Sequence, residues 1–213
     1  LFGTVADWLA QTAAPPLAAP LALDAPVLPG AAWLEERLRF GPDRSLAGVL
    51  TCPAVPAAGS PCVVMPNAGP NPHHGWGRMA VQHARALAQQ GIASLRFDLS
   101  GLGDGQTEAR SPREMVYHPD HRADLNAAID LVQAQGSARI IVSGLCAGGH
   151  LAFHGAHDDP RIDIVIAVNV LKFLWKETDD LDRYEQEALQ SASRYRAQAL
   201  SGAGWRRLIS GEI

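Results

Sequence analysis

Hydrophobic and polar positions along the chain follow two periods, which predict strands in some stretches and helices in others. Alternation at 33–40 and an apolar run at 46–52 predict two strands, and the turn formers at 41–43 join them as a hairpin. Further apolar runs predict strands at 62–65, 92–99, 140–143 and 162–170. Apolar residues at helical spacing predict helices at 79–90 and 119–135.

From residue 62 onward, the predicted strands and helices alternate along the chain. This order is typical of a mainly parallel sheet flanked by helices, and the early hairpin adds antiparallel strands at one edge. We therefore expect an α/β core over 31–170. The pattern predicts a short helix and a Pro/Ala-rich arm over 1–30, and a helical cap segment over 171–213. The alternative for 171–213 is a set of ordinary surface helices.

The stretch 138–150 carries the clearest chemical signal. Its strand leads into the turn Gly-Leu-Cys-Ala-Gly at 144–148, and helical spacing follows over 149–157. Such a turn between strand and helix presents Cys146 as a nucleophile on a strained backbone, and Cβ atoms at 144 and 148 would crowd it. The alternative is a buried structural thiol, which is the usual role of a free cysteine.

Two loops accompany this turn: the first directly follows a predicted strand, and the second begins within the last residues of another. They are Pro-Asn-Ala-Gly-Pro-Asn-Pro-His-His-Gly at 66–75 and Phe-Asp-Leu-Ser-Gly-Leu-Gly-Asp-Gly at 97–105. The glycines of the second loop lack the G-x-G-x-x-G spacing of a dinucleotide site, and no helix pattern begins there. The histidine spacings fit no metal site either. We expect neither a cofactor nor a metal.

These three motifs together resemble the α/β-hydrolase superfamily over residues 33–213. The loop at 66–75, the turn from Asp98 to Asp104 and the double-glycine turn from Gly144 to Gly149 follow in the order of that superfamily. The chain looks closest to bacterial serine-aminopeptidase-like hydrolases, including the exosortase-associated hydrolases. The cysteine turn is also similar to that of dienelactone hydrolases and polyhydroxyalkanoate synthases. Departures occur at Ser100, where many relatives carry Arg, and at Gly105, where many carry Ser.

The resemblance implies an oxyanion hole and an acyl-transfer reaction. In this fold, the first loop supplies one backbone N–H, here from Ala68 or Gly69, and the residue after the nucleophile, Ala147, supplies another. Attack by Cys146 on an ester, thioester or lactone would form a thioester intermediate. We expect an acyl hydrolase with a small-molecule acyl substrate. An acyltransferase, or a noncatalytic protein for binding or assembly, is the alternative.

The general base and acid of such an enzyme are not identified in the sequence. In this fold an Asp or Glu and then a His follow the nucleophile, whereas the last histidine here is His157. His73 and His74 are local alternatives, while a helix would carry His150 away from the thiol. We expect the base and acid to lie outside this chain, which would then be an N-terminal part, inactive alone and truncated before the last strands.

The composition of the chain restricts its expected binding partners and its expected cellular compartment. The net charge of −4 gives no basic footprint for nucleic acid, and no apolar run has the length of a membrane span. The cysteines besides Cys146 are Cys52 and Cys62, both in apolar strands, where we expect packing roles. Three cysteines suit a reducing compartment, so a cytoplasmic location is expected. A second copy of the chain and its C-terminal remainder stay open as partners.

Overall fold

The computed structural model describes residues 32–55, 57, 59–105, 116–174 and 179. Among these residues, the strands are β1 (Trp33–Phe40), β2 (Leu46–Pro53), β3 (Pro61–Met65), β4 (Ala93–Asp98), β5 (Arg139–Leu145) and β6 (Ile162–Val168). The helices are α1 (Met79–Gln89), α2 (His121–Ala134) and α3 (Ala147–Asp158). Short 3-10 turns lie at Pro42–Arg44 and Trp76–Arg78. All these elements belong to the compact unit Leu1–Phe173, and a second unit is Leu174–Ile213.

The strands form one sheet in the order β1-β2-β4-β3-β5-β6. The pairs β1–β2 and β2–β4 are antiparallel, and β4–β3, β3–β5 and β5–β6 are parallel. The predicted mainly parallel sheet with antiparallel first strands is therefore confirmed. Because β3 to β6 run parallel, their carboxyl ends meet at one edge, where the loops that follow β3, β4 and β5 come together.

Apolar side chains on the sheet and on the helices form the core of this unit. One cluster joins the sheet to α2 through Leu50, Leu95, Phe97, Leu125 and Ile129, all fully buried, and Ala152 of α3 belongs to the same cluster. Burying each such side chain stabilises the fold by about 1.5–3 kcal/mol. A smaller cluster lies around Val63, Ile92 and Ile141, with Leu87 of α1 packed against it. The core thus fixes the strands whose ends carry the candidate site.

Several element ends differ from the predicted bounds for local backbone reasons. Helix α3 begins at Ala147, two residues earlier than predicted, because the reversal takes place within Cys146 alone. Strand β6 ends at Val168 instead of residue 170, since Asn169 has a φ of 51°. The arm predicted at 1–30, and the cap predicted at 171–213 except for 171–174 and 179, lie outside the described residues.

In the part of the chain that the structure describes, no helix combines the length and the apolar character needed to cross a bilayer.

Candidate active site

Cys146 occupies a sharp turn between the end of β5 and the start of α3. Its backbone has φ 56° and ψ −116°, a conformation that residues with a Cβ rarely adopt. Such a conformation costs about 1–3 kcal/mol and persists only where the surroundings enforce it. Here the Cys146 N–H donates to the Val168 carbonyl oxygen at 2.9 Å, and the Cys146 carbonyl accepts from the His150 N–H at 3.1 Å. The strain predicted for this residue is confirmed.

Two glycines make this turn sterically possible. A Cβ on Gly144 would overlap the carbonyl oxygen of Gly148. A Cβ on Gly148 would lie 2.5 Å from the carbonyl oxygen of Asn67. Both crowding predictions are therefore confirmed. The second contact also shows that the loop at 66–75 packs its backbone directly against the N-terminus of α3.

The buried carboxylate of Asp98 holds the two site loops together. Its Oδ1 accepts hydrogen bonds from the His73 N–H at 2.6 Å and from the Asn67 side-chain amide at 2.7 Å. Its Oδ2 accepts from His73 Nδ1 at 2.7 Å and from the Asp104 N–H at 2.9 Å. Asp98 is fully buried. The loops at 66–75 and 97–105 are thus joined through one side chain.

The electrostatic state of Asp98 follows from these donors. Burial alone would raise its pKa, but hydrogen bonds from His73, Asp104 and Asn67 outweigh burial and hold the pKa below its usual range. Ligand atoms of His73, Asp98 and Asp104 also lie within 4.8 Å of one another, as metal ligands would. A cation would have to displace donors that already occupy both oxygens of Asp98. The geometry therefore favours a positioning role for this carboxylate.

The residues expected to form the oxyanion hole lie on both sides of the contact between the loop at 66–75 and the N-terminus of α3. The Ala68 carbonyl accepts from the Asn71 N–H at 3.3 Å and from the Asn71 side chain at 2.7 Å, which fixes the loop. Gly69 has a φ of 59°. Ala147 is the first residue of α3, where backbone N–H groups have no partner within the helix. The assignment of these three N–H groups to an oxyanion remains a prediction.

The histidines considered as bases have different surroundings. The ring of His73 is oriented by Asp98, and His74 Nδ1 lies 2.9 Å from the Gly75 carbonyl oxygen. The His150 ring packs edge-on against Tyr117, with centroids 5.1 Å apart. Burial and the neighbouring His154 and Arg122 lower the pKa of His150 to about 4. His150 is therefore neutral near pH 7.

Tyr117, which could not be identified from the sequence, contacts the candidate nucleophile. The Tyr117 hydroxyl lies 4.0 Å from the Cys146 sulfur, within reach of a hydrogen bond to sulfur. No periodicity or motif marks Tyr117, which precedes α2 in the sequence. In the sequence Asp98 belongs to a turn motif. Its position at the end of a buried strand is the signal that could indicate its role in joining the two loops.

A mostly apolar cavity of about 210 Å³ lies beside the turn. Residues of the first loop, of α1 and of the end of β5 line it. They include Met65, Ala68, His73, Met79, Leu145 and Val168. This cavity lies next to the candidate oxyanion loop, and its apolar lining suits a hydrocarbon group.

Comparison with known proteins gives structural matches. No protein-family model and no curated protein sequence matches the chain. A hypothetical protein from Pseudomonas aeruginosa superposes with a TM-score of 0.56 at 21% identity, covering 91% of this chain and 60% of that one. An acetyl xylan esterase from Paenibacillus sp. R4 gives a TM-score of 0.52 at 22% identity, covering 80% of this chain and 58% of that one.

A third match is an α/β serine hydrolase without a lid from Xanthomonas campestris. It has a TM-score of 0.51 at 20% identity, with 72% of this chain and 68% of that chain covered. These likenesses show that the chain has the α/β-hydrolase fold. The chain spans about 60% of the length of the Pseudomonas protein and of the Paenibacillus esterase.

Proposed function

We propose that this chain carries the nucleophile and the oxyanion hole of an acyl hydrolase that acts on an ester, thioester or lactone. Cys146 is the nucleophile, and backbone N–H groups of Ala147 and of Ala68 or Gly69 bind the oxyanion. The observation that carries the proposal is the strained backbone of Cys146 at the N-terminus of α3. Esterases among proteins of the same fold add support.

The arrangement suits a two-step reaction. The Cys146 thiolate attacks the acyl carbon, the C–S bond forms, and the carbonyl oxygen takes negative charge beside backbone N–H groups that are already oriented. The C–O or C–S bond to the leaving group then breaks, and the leaving group takes a proton from water. In the second step, water adds to the thioester, the C–S bond breaks and the acid is released. An acyltransferase would differ only in replacing this water by another acceptor.

The apolar cavity is the proposed site for the acyl group. It adjoins Ala68 on the oxyanion loop and Leu145 directly before the nucleophile. Its volume of about 210 Å³ lies below the roughly 300–1,000 Å³ typical of sites for drug-sized ligands. We therefore propose a short acyl chain as the group that is transferred.

The general base is proposed to come from outside the described residues. The local alternative is His73, favoured by one observation: its Nδ1 lies 2.7 Å from a carboxylate oxygen of Asp98, as an acid orients a catalytic base. In either case deacylation depends on this base more than acylation by a thiolate does. If the base is missing from the chain, an activated ester should therefore leave a long-lived thioester, whereas His73 acting as the base would shorten the lifetime of this thioester.

The first test is selective alkylation by iodoacetamide of the native chain. Cys146 is half-buried, whereas Cys52 and Cys62 are fully buried. Burial raises the pKa of both buried thiols, that of Cys52 to about 12. We expect Cys146 to react at least about tenfold faster than either, because only a thiolate is nucleophilic. Peptide mapping by mass spectrometry measures the three rates.

Two controls sharpen this test. Unfolding in guanidinium should bring the three rates close together, which shows that the native structure causes the selectivity. Prior incubation with an activated ester should protect Cys146 alone. Equal labelling of the three cysteines in the native chain contradicts the nucleophile assignment and favours a noncatalytic protein for binding or assembly.

A further inference from the structure

The Cys146 sulfur has a polar neighbour that takes no part in the reaction proposed above. Tyr117 lies just before α2, and its hydroxyl is 4.0 Å from Cys146 Sγ. Its backbone has a φ of 68°, in the left-handed region that aromatic residues rarely adopt. Strain of this kind costs about 1–3 kcal/mol, so the surrounding structure must hold this backbone conformation in place.

The chemistry of this contact depends on which atom donates. Burial and the neighbouring Cys146 raise the pKa of Tyr117 well above its usual range. The phenol therefore keeps its proton throughout the neutral range and cannot take one from the thiol. It can donate its O–H to the sulfur, and a thiolate is a much better acceptor than a thiol.

Neighbouring elements fix the ring and set the charges around it. From α3, the His150 ring meets the Tyr117 ring at 90°, and His154 lies beyond it at 4.4 Å between centroids. From α2, the positive charge of Arg122 helps to lower the pKa of His150 to about 4, so His150 is neutral near pH 7. The loop at 66–75, which packs against the first turn of α3, carries His73, and His73 is paired with Asp98 of β4. His150 thus contributes packing rather than a positive charge.

We propose that Tyr117 is a catalytic hydrogen-bond donor that stabilises the Cys146 thiolate, which rests on the proposed function of Cys146 as the nucleophile. The thiol proton leaves to solvent, and the O–H of Tyr117 and the N-terminus of α3 favour the negative sulfur that remains. When the sulfur forms its bond to the acyl carbon, it loses this charge. The hydrogen bond therefore weakens in the thioester. Activation of the nucleophile does not require a histidine to take its proton.

The test is the pH dependence of Cys146 alkylation by iodoacetamide in the full chain, from about pH 5 to about pH 10. In Y117F the midpoint should move up by about half to one pH unit, and the rate at pH 7 should fall about three- to tenfold. The plateau at high pH should stay the same or rise, because a less stabilised thiolate is more nucleophilic.

The matched control is H150F, which keeps an aromatic ring against Tyr117 and removes the imidazole. It should keep the wild-type midpoint. If H150F moves the midpoint as far as Y117F does, the imidazole sets the reactivity and the proposal is wrong. A Y117F profile that superimposes on that of the wild type, or that falls equally at every pH, also overturns it.

A second variant should shift the pH midpoint of alkylation in the opposite direction. It keeps the proposal testable even if Y117F does not fold. Replacement of Tyr117 by 3-fluorotyrosine keeps the ring and the hydroxyl but makes the phenol a stronger donor. The midpoint should move to lower pH, and no change would overturn the proposal. Alkylation does not require acyl transfer. A shifted profile without any acyl-enzyme would therefore uphold the role of Tyr117 and refute the proposed hydrolase.

Discussion

The side chain of Asp98 determines how the two site loops are joined. The Asp98 carboxylate accepts four hydrogen bonds, and each donor is an N–H group. Two of these groups belong to His73, one to Asn67 and one to Asp104. Only an ionised carboxylate accepts from all of them. An amide or a protonated acid in its place would set a donor against a donor. Asn67 in turn accepts from the Leu99 N–H at 2.7 Å, which extends the same network.

The substitution D98N tests this role. We expect the free energy of unfolding at pH 7 to fall by about 2–3 kcal/mol, because charge-assisted hydrogen bonds are lost and a buried donor is left unpaired. Urea denaturation measures the loss. The matched control is D104N, since Asp104 is exposed and bonds through its backbone N–H. That control should change stability by less than about 0.5 kcal/mol.

The same substitution has a pH signature. Because the pKa of Asp98 is lowered in the folded chain, the unfolded chain binds this proton more readily. The stabilisation is then present above about pH 4 and is lost as the pH falls through the native pKa. D98N should lack this part of the acid-induced loss of stability. Parallel pH dependences in D98N and wild type would contradict the assignment.

At the level of elements, the site depends on backbone contact between α3 and the loop at 66–75. Gly148 lies in the first turn of α3, against the carbonyl oxygen of Asn67. The distance between the nucleophile and the candidate oxyanion loop is therefore set without an intervening side chain. Rigid placement of this kind is what an oxyanion hole requires, since its donors must already be oriented when charge develops.

The substitution G148A should push the loop at 66–75 away from the N-terminus of α3. The added methyl group would lie 2.5 Å from the Asn67 oxygen, and overpacking of this kind costs about 1–3 kcal/mol. The better helix propensity of alanine offsets up to about 1 kcal/mol of that. We expect acylation of Cys146 by an activated ester to slow at least about tenfold, and by at most the roughly hundred- to thousandfold found when one oxyanion donor is removed outright. Stopped-flow release of the leaving group measures the rate.

A surface substitution on the same helix serves as the control. His157 is exposed in the last turn of α3, and H157A should leave the acylation rate unchanged. An unchanged rate in G148A itself would show that the position of the loop does not affect the reaction.

For the whole molecule, the sequence predicted the architecture and the turn but not the contacts between loops. Hydrophobic periods located the sheet, and the glycines at 144 and 148 indicated the strained turn, because both signals are local in the chain. The contact between Tyr117 and Cys146 and the four donors to Asp98 depend on how β4, α2 and α3 pack. Such contacts join residues far apart in the sequence, and no spacing rule encodes them.

The parallel sheet is what assembles the site in space. Residues 66–75, residues 99–105 and Cys146 each follow the carboxyl end of a strand, and the strand order β4-β3-β5 makes these ends neighbours. The fold thus brings a candidate nucleophile, candidate oxyanion donors and an apolar cavity to one edge. The proposed function depends on covalent chemistry at that edge.

The most direct test is intact mass spectrometry of the chain after incubation with p-nitrophenyl acetate. The account predicts one added acetyl group, located at Cys146 by peptide mapping, in the wild type and in C52A but not in C146A. An adduct that persists in C146A, or a folded wild-type chain that acquires none, would contradict the central claim.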